Sequence, residues 1–254
     1  MTPNELALLL FRQLVLFSGA SRGLGAFLAQ GARVVVNYIN SVDAARAMAA
    51  HALDCARSVL ADLRDHKAVQ AMFATARPRR GTCDDPDQQR PAGVFVQWRC
   101  QVWTGYLCVG NLGQQMQDVS RGAFNIIQAA LPSMRERRAI RVINIGTNLS
   151  ENPAVPYHDY TAAKATLLSR VSTASHDLGP EGITVNKLPG GLLRITGASA
   201  AIPDAVFDLI AANTPLRWVT TLEVFANAAL FLASPWGWAV TGQNLMIDGG
   251  FVKN

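Results

Sequence analysis

Residues 14–38 read as strand, glycine-rich turn, helix and strand, and that order admits few folds. Leu14-Val15-Leu16-Phe17 is a short apolar run of the buried-strand kind. Ser18-Gly19-Ala20-Ser21-Arg22-Gly23-Leu24-Gly25 follows, then the helix-like residues 26–30. After Gly31 comes a second apolar run, Arg33-Val34-Val35-Val36-Asn37-Tyr38. Glycines let a backbone approach a pyrophosphate closely, and a helix N-terminus offers it N–H groups and positive potential. The glycines are spaced Gly-x-x-x-Gly-x-Gly rather than Gly-x-Gly-x-x-Gly.

The rest of the chain continues the alternation, which predicts a parallel sheet with helices on both faces. Helical patterns cover residues 43–53, 65–76, 121–137, 157–178 and 222–233. Strand-like runs cover 58–60, 142–145, 183–186 and 244–247. Val69, Met72 and Phe73 are the expected inner face of the second of these helices. Phe124, Ile127 and Leu131 mark the third, with Pro132 as an expected kink. Gly179-Pro180 stops the fourth. The expectation is one α/β domain over residues 1–254, a doubly wound, Rossmann-like sheet of about seven strands.

Tyr160-Thr-Ala-Ala-Lys164 carries the chemistry. A Tyr and a Lys four apart share one face of a helix. A free phenol, with pKa near ~10, is a poor base at neutral pH. A neighbouring ammonium favours the phenolate and poises the hydroxyl for proton transfer. Thr147 ends the strand-like run 141–146 and offers a second hydroxyl.

Taken together these residues resemble the short-chain dehydrogenase/reductase family. The resemblance rests on Ser18-Gly19-x-x-x-Gly23-x-Gly25, Ala61-Asp62-Leu63, Asn144-Ile145-Gly146-Thr147 and Tyr160-x-x-x-Lys164. Gly182-Ile183-Thr184-Val185-Asn186, Val240-Thr241-Gly242-Gln243-Asn244 and Asp248-Gly249-Gly250 complete it. Within the family the chain is most similar to the 3-oxoacyl-[acyl-carrier-protein] reductases of fatty acid synthesis. The resemblance implies that Tyr160 protonates a carbonyl oxygen, Lys164 lowers the Tyr pKa and holds the nicotinamide ribose, and Thr147 hydrogen-bonds the substrate. It implies a nicotinamide cofactor held by Gly19, Ser21, Arg22, Gly23, Leu24, Gly25, Asn37, Asp62, Tyr160, Lys164, Gly191 and Leu193. Asp62 is expected near the adenine ring, and the small-residue segment 190–215 closes over substrate. Asn37 stands where NAD-preferring relatives carry an Asp, and Arg22 can pair with a 2′-phosphate, so NADP is favoured over NAD.

Three departures qualify the resemblance. Pro189-Gly190-Gly191 replaces the family's Pro-Gly, and Val119 replaces the Asn that anchors a relay water. The third is the missing Asn-Asn-Ala-Gly of the fourth strand, where residues 79–113 turn abruptly polar. Three of the four cysteines and two of the five tryptophans fall there. Asp85-Pro86-Asp87-Gln88-Gln89-Arg90 can be encoded GAC CCT GAT CAA CAA CGC. Read one base later, those bases give Thr-Leu-Ile-Asn-Asn-Ala, the missing motif. The segment is therefore expected to be frame-shifted and restored near Gly113; a protein that truly carries it has only Val94-Phe95-Val96 to offer as a strand. Resequencing the gene or an intact mass checks this: a clean read with no Asn-Asn-Ala one base over ends the idea.

Composition excludes other classes. Half the residues are apolar and 16% charged, which suits a globular domain. No apolar run reaches the ~18 residues of a membrane span, and residues 6–11 lack a signal peptide's basic leader. A cytoplasmic location is the expectation. Cys55, Cys83, Cys100 and Cys108 form no Cys-x-x-Cys pair and no zinc spacing, so no metal is expected. His158, two residues before Tyr160, reads as a loop-surface residue. The net charge of +5 comes with no nucleic-acid recognition module. The basic clusters Arg77-Pro-Arg79-Arg80 and Arg135-Glu-Arg137-Arg138 read as solvated, or as docking for an acyl carrier protein or a coenzyme A thioester. A homo-oligomer is expected, a tetramer or dimer, with Trp236 and Trp238 beside the last strand. Two alternatives stand beside the reductase: an enzyme for another small ketone or alcohol, and a catalytically weak nucleotide-binding member acting through assembly.

Overall fold

The structure, a computed structural model, describes residues 14–18, 33–50, 56–75, 93–96, 109–138, 140–194, 199 and 202–253. Among the described residues six parallel strands form one sheet: β1 (Leu14–Ser18), β2 (Arg33–Tyr38), β3 (Ala56–Leu60), β4 (Gly93–Val96), β5 (Arg141–Thr147) and β6 (Thr184–Gly190). Their spatial order is β3-β2-β1-β4-β5-β6. The order reverses between β1 and β4, which is where ligands of doubly wound sheets sit, beyond the carboxyl ends of the strands.

Helix α1 (Val42–Ala50) follows β2, α2 (His66–Thr75) follows β3, and α3 (Val109–Met116) precedes a π-helical stretch, Gln117–Arg121. Then come α4 (Gly122–Arg137), α5 (His158–Leu178), α6 (Asp204–Asn213) and α7 (Leu222–Ala233). Helix α5 ends in the 3-10 turn Gly179–Glu181, as Gly179-Pro180 predicts, and Gly182 leaves that turn at φ 74°, a conformation glycine adopts without strain. Helix α4 passes through Pro132 to Arg137 without interruption.

Side chains alternate across the strands because the strand period is two. On one face Val15, Phe17, Val34, Val36, Ile143, Ile145 and Leu188 pack with Phe225, Ala226, Ala229 and Leu230 of α7. On the other, Leu16, Val35, Val142 and Val185 pack with Val69 and Met72 of α2, Ala123, Ile126 and Ile127 of α4, and Ala163, Leu167 and Val171 of α5. A sheet covered on both faces needs continuously apolar strands, which accounts for runs such as Val34-Val35-Val36.

Phe124 of α4 is 55% exposed, and the buried stripe of that helix is Ala123, Ile126, Ile127, Ala130 and Met134. Small Ala123 allows close approach to neighbours where a Phe ring would hold the helix off. Residues 244–247 are not a full strand. They lie along β6 through two parallel bridges, Lys187↔Asn244 and Gly190↔Ile247. The fourth strand is Gly93–Val96, paired to β1 by Phe17↔Phe95 and to β5 by Phe95↔Ile143.

Candidate active site

The longest ladder, β5 with β6, brings Thr147 level with Gly190 at the carboxyl edge. The edge continues through Ser18, level with Asn37, and Tyr38, level with Leu60. Asn37 and Thr147 therefore lie toward one edge of the sheet. The turn that holds Gly19, Ser21, Arg22, Gly23, Leu24 and Gly25 lies outside the described residues.

Thr147 is buried in extended conformation, and its Oγ accepts the Leu149 N–H at 3.3 Å. Its own hydroxyl proton is not spent in that bond. The Ser150 hydroxyl donates to the Thr147 carbonyl at 3.1 Å, which commits Ser150 to the local 3-10 turn Asn148–Ser150. Tyr160 and Lys164 lie on the first two turns of α5. Lys164 is 2% exposed; its Nζ donates to the Ile145 carbonyl at 2.8 Å and lies 5.9 Å from the centre of the Tyr160 ring. The ammonium is thus fixed on β5, two residues before Thr147, with the Tyr160 ring beside it. A charge buried so deeply persists only with such partners. Helix α5 is held in place by Ala163, Leu167 and Val171, so the pair is presented from a rigid element.

Asn37 is buried, and its amide donates to the Ala61 carbonyl at 2.9 Å. Asp62 follows directly. Its carboxylate accepts from Arg64 Nε at 2.9 Å and Nη2 at 2.6 Å, and the Arg64 hydrogen bond holds its pKa below the usual carboxylate value. Arg64 also approaches Asp118 at 3.6 Å. Sequence reading missed this role of Arg64, although its place two residues after Asp62 was visible. Gly191 packs against Asn148 and Asp248, and Leu193 against the apolar core under α7. His158 is exposed and lines an open groove with Pro153, Val155, Tyr157 and Thr161.

Val119 occupies the π-helical stretch and is fully buried. Its side chain offers no polar group, and the neighbouring Ser120 carbonyl accepts Arg170 Nη1 at 3.0 Å. Short π-helical insertions recur at functional sites. Here the stretch lies against α5, the helix that carries Tyr160. Among the described residues no group of His, Cys, Asp and Glu could hold a metal ion, and no helix is long and apolar enough to cross a membrane.

A parallel sheet in this order is the architecture of dinucleotide-binding proteins. A family model described as Enoyl-(Acyl carrier protein) reductase matches residues 19–252. The chain belongs to this family of short-chain dehydrogenases/reductases, most like the 3-oxoacyl-[acyl-carrier-protein] reductases. It is 28% identical over 248 residues to the 3-oxoacyl-[acyl-carrier-protein] reductase FabG of Staphylococcus aureus, covering 92% of this chain and 96% of the relative. An uncharacterized oxidoreductase of Mycobacterium bovis is also 28% identical, over 96% of this chain and 99% of its own length. A dehydrogenase/reductase from Sinorhizobium meliloti superposes with a TM-score of 0.81 at 26% identity, covering 100% of both chains. A short-chain dehydrogenase/reductase variant from Serratia marcescens gives 0.80 at 24% identity over 96% of this chain and 99% of its own, a likeness of fold.

Proposed function

We propose that the protein is an NADPH-dependent reductase of a 3-oxoacyl thioester, with Tyr160, Lys164 and Thr147 as its catalytic residues. The observation that carries the reading is the buried Lys164 ammonium, anchored on β5 and facing the Tyr160 ring at 5.9 Å. When bound there, a dihydronicotinamide would supply the hydride for the carbonyl carbon. The Tyr160 phenol gives its proton to the carbonyl oxygen as the charge develops there, and a secondary alcohol leaves. Lys164 stabilises the phenolate left behind, and Thr147 donates its hydroxyl to the same oxygen.

The carboxyl edge supports the phosphorylated cofactor. Asn37 carries no charge, and Arg64 matches that of Asp62, so these two positions present no net negative charge to a 2′-phosphate. Gly191, packed closely on Asn148 and Asp248, is proposed as a cofactor contact on the family resemblance. Gly19, Ser21, Arg22, Gly23, Leu24, Gly25 and Leu193 complete the proposed cofactor set.

The thioester is proposed on the names of the similar reductases, with residues 190–215 as the lid. Acyl carrier protein and coenzyme A are the candidate carriers, and the cytoplasm is the proposed site of work. Arg135 is already held by Glu181 at 2.9 Å, which leaves less of that basic cluster for an acidic partner. Self-association, as a tetramer or dimer, is supported by exposed Phe124, Trp236 and Trp238.

A second reading has its own observation. With Val119 apolar and fully buried, the side chain at the usual water-anchoring position can hold no water, which favours a weak or non-catalytic nucleotide binder. One assay separates the readings: oxidation of NADPH and of NADH with acetoacetyl thioesters and free ketones. The proposal expects thioester turnover with higher kcat/KM for NADPH. NADPH binding without turnover on any carbonyl favours the second reading, and a preference for NADH sinks the cofactor assignment.

A further inference from the structure

Three stretches meet at the carboxyl edge of β5 and β6: the turn after Thr147, the start of the lid at Gly191, and the C-terminal turn at Asp248. Asn148 and Asp248 are both buried, at 7% and 6% exposure. The Asn148 Nδ2 donates to Asp248 Oδ2 at 3.1 Å, across 100 residues of chain. The same carboxylate accepts the Gly250 N–H at 3.1 Å and the Val252 N–H at 3.0 Å. A Cβ on Gly191 would lie 3.2 Å from the Asn148 amide nitrogen, so the lid begins in direct packing with this bond. The Ile247 N–H donates to the Pro189 carbonyl at 2.9 Å, fixing Asp248 to β6.

The turn is held a second time at its far end. Glu151 Oε1 accepts from Asn244 Nδ2 at 3.1 Å and faces Lys187 Nζ at 3.5 Å. Lys187 is fully buried beside Gly146, where any Cβ would collide with its stem. Burial pushes its pKa down and the Glu151 carboxylate opposes that shift. Both ends of residues 148–151 are thereby tied to residues 244–248. Between those ties lies the Leu149 N–H that bonds the Thr147 hydroxyl oxygen. A hydroxyl that must meet a reacting oxygen needs placement to about 0.5 Å.

We infer that Asn148 and Asp248 are positioning residues: their buried hydrogen bond uses the C-terminal turn to aim the Thr147 hydroxyl. The inference rests on the reductase reading above, and its test keeps the two apart. Asn148→Ala removes the donor. In Asn148→Ala, kcat for the acetoacetyl thioester falls about tenfold while the NADPH Kd stays within about twofold. Hydrogen–deuterium exchange of the Leu149 amide speeds by a similar factor, because its bond to Thr147 loosens. Asn148→Ser, too short to reach Asp248, repeats the measurement should the Ala variant not fold. An unchanged kcat with a lowered Tm overturns the inference and leaves the bond merely structural; so does slow Leu149 exchange in the single variant. If wild-type protein reduces no carbonyl, the reductase reading falls, and Leu149 exchange alone decides whether the tether aims Thr147.

Discussion

Tyr160→Phe removes turnover by a factor of about 10³ and leaves NADPH binding within about twofold, the loss expected of a positioned proton donor. The substitution deletes one oxygen. The ring that faces Lys164 at 5.9 Å remains, as does the Lys164 bond to the Ile145 carbonyl. The helix start is untouched, because the Tyr160 N–H donates to Asp159 through the backbone. The cofactor site therefore keeps its shape while the substrate oxygen loses its proton source. Initial rates at saturating NADPH and a fluorescence titration of cofactor binding read the two effects separately. Reduction by the Phe variant near the wild-type rate would remove Tyr160 from the mechanism.

Lys164→Met has the second largest effect, and it differs in kind. Turnover falls about 10²-fold to 10⁴-fold, and cofactor affinity falls with it. The ammonium holds the phenol and, in the proposed role, the nicotinamide ribose. The Met side chain fills similar space, so the fold survives. Leaving the buried Ile145 carbonyl without its donor costs about 1–3 kcal/mol, offset in part because no charge has to be buried. Retained cofactor affinity in this variant would assign Lys164 to the phenol alone. A kcat within about tenfold of wild type would contradict its catalytic role.

The parts of this molecule that chain order and short spacing determine were legible in the sequence. The apolar runs of β1, β2, β5 and β6 and the turn at Gly179 follow from local pattern, as does the shared helix face of Tyr160 and Lys164. The doubly wound order follows from the alternation of strands with helices. What spacing does not encode was invisible. The Asn148–Asp248 bond joins residues 100 apart, and Glu151 meets Asn244 across 93. Neither has a local signature. The apolar residues of α4 do not by themselves mark its inner face: Phe124 is exposed, whereas close packing there admits Ala123. Val119 was recognised as a departure, but the π-helical turn that carries it has no pattern in residues 117–121. Residues 244–247 read as a strand because Leu245 and Ile247 are apolar, yet they hold to β6 by single bridges.

The most direct measurement is transfer of deuterium from NADPH labelled at the reactive dihydronicotinamide carbon to an acetoacetyl thioester, followed by mass spectrometry of the alcohol. A hydride transferred in the cleft, with the proton from Tyr160, puts one deuterium on the former carbonyl carbon. NADPH that binds to the wild-type protein yet yields no labelled alcohol from this thioester, or from any other carbonyl offered, would contradict the account.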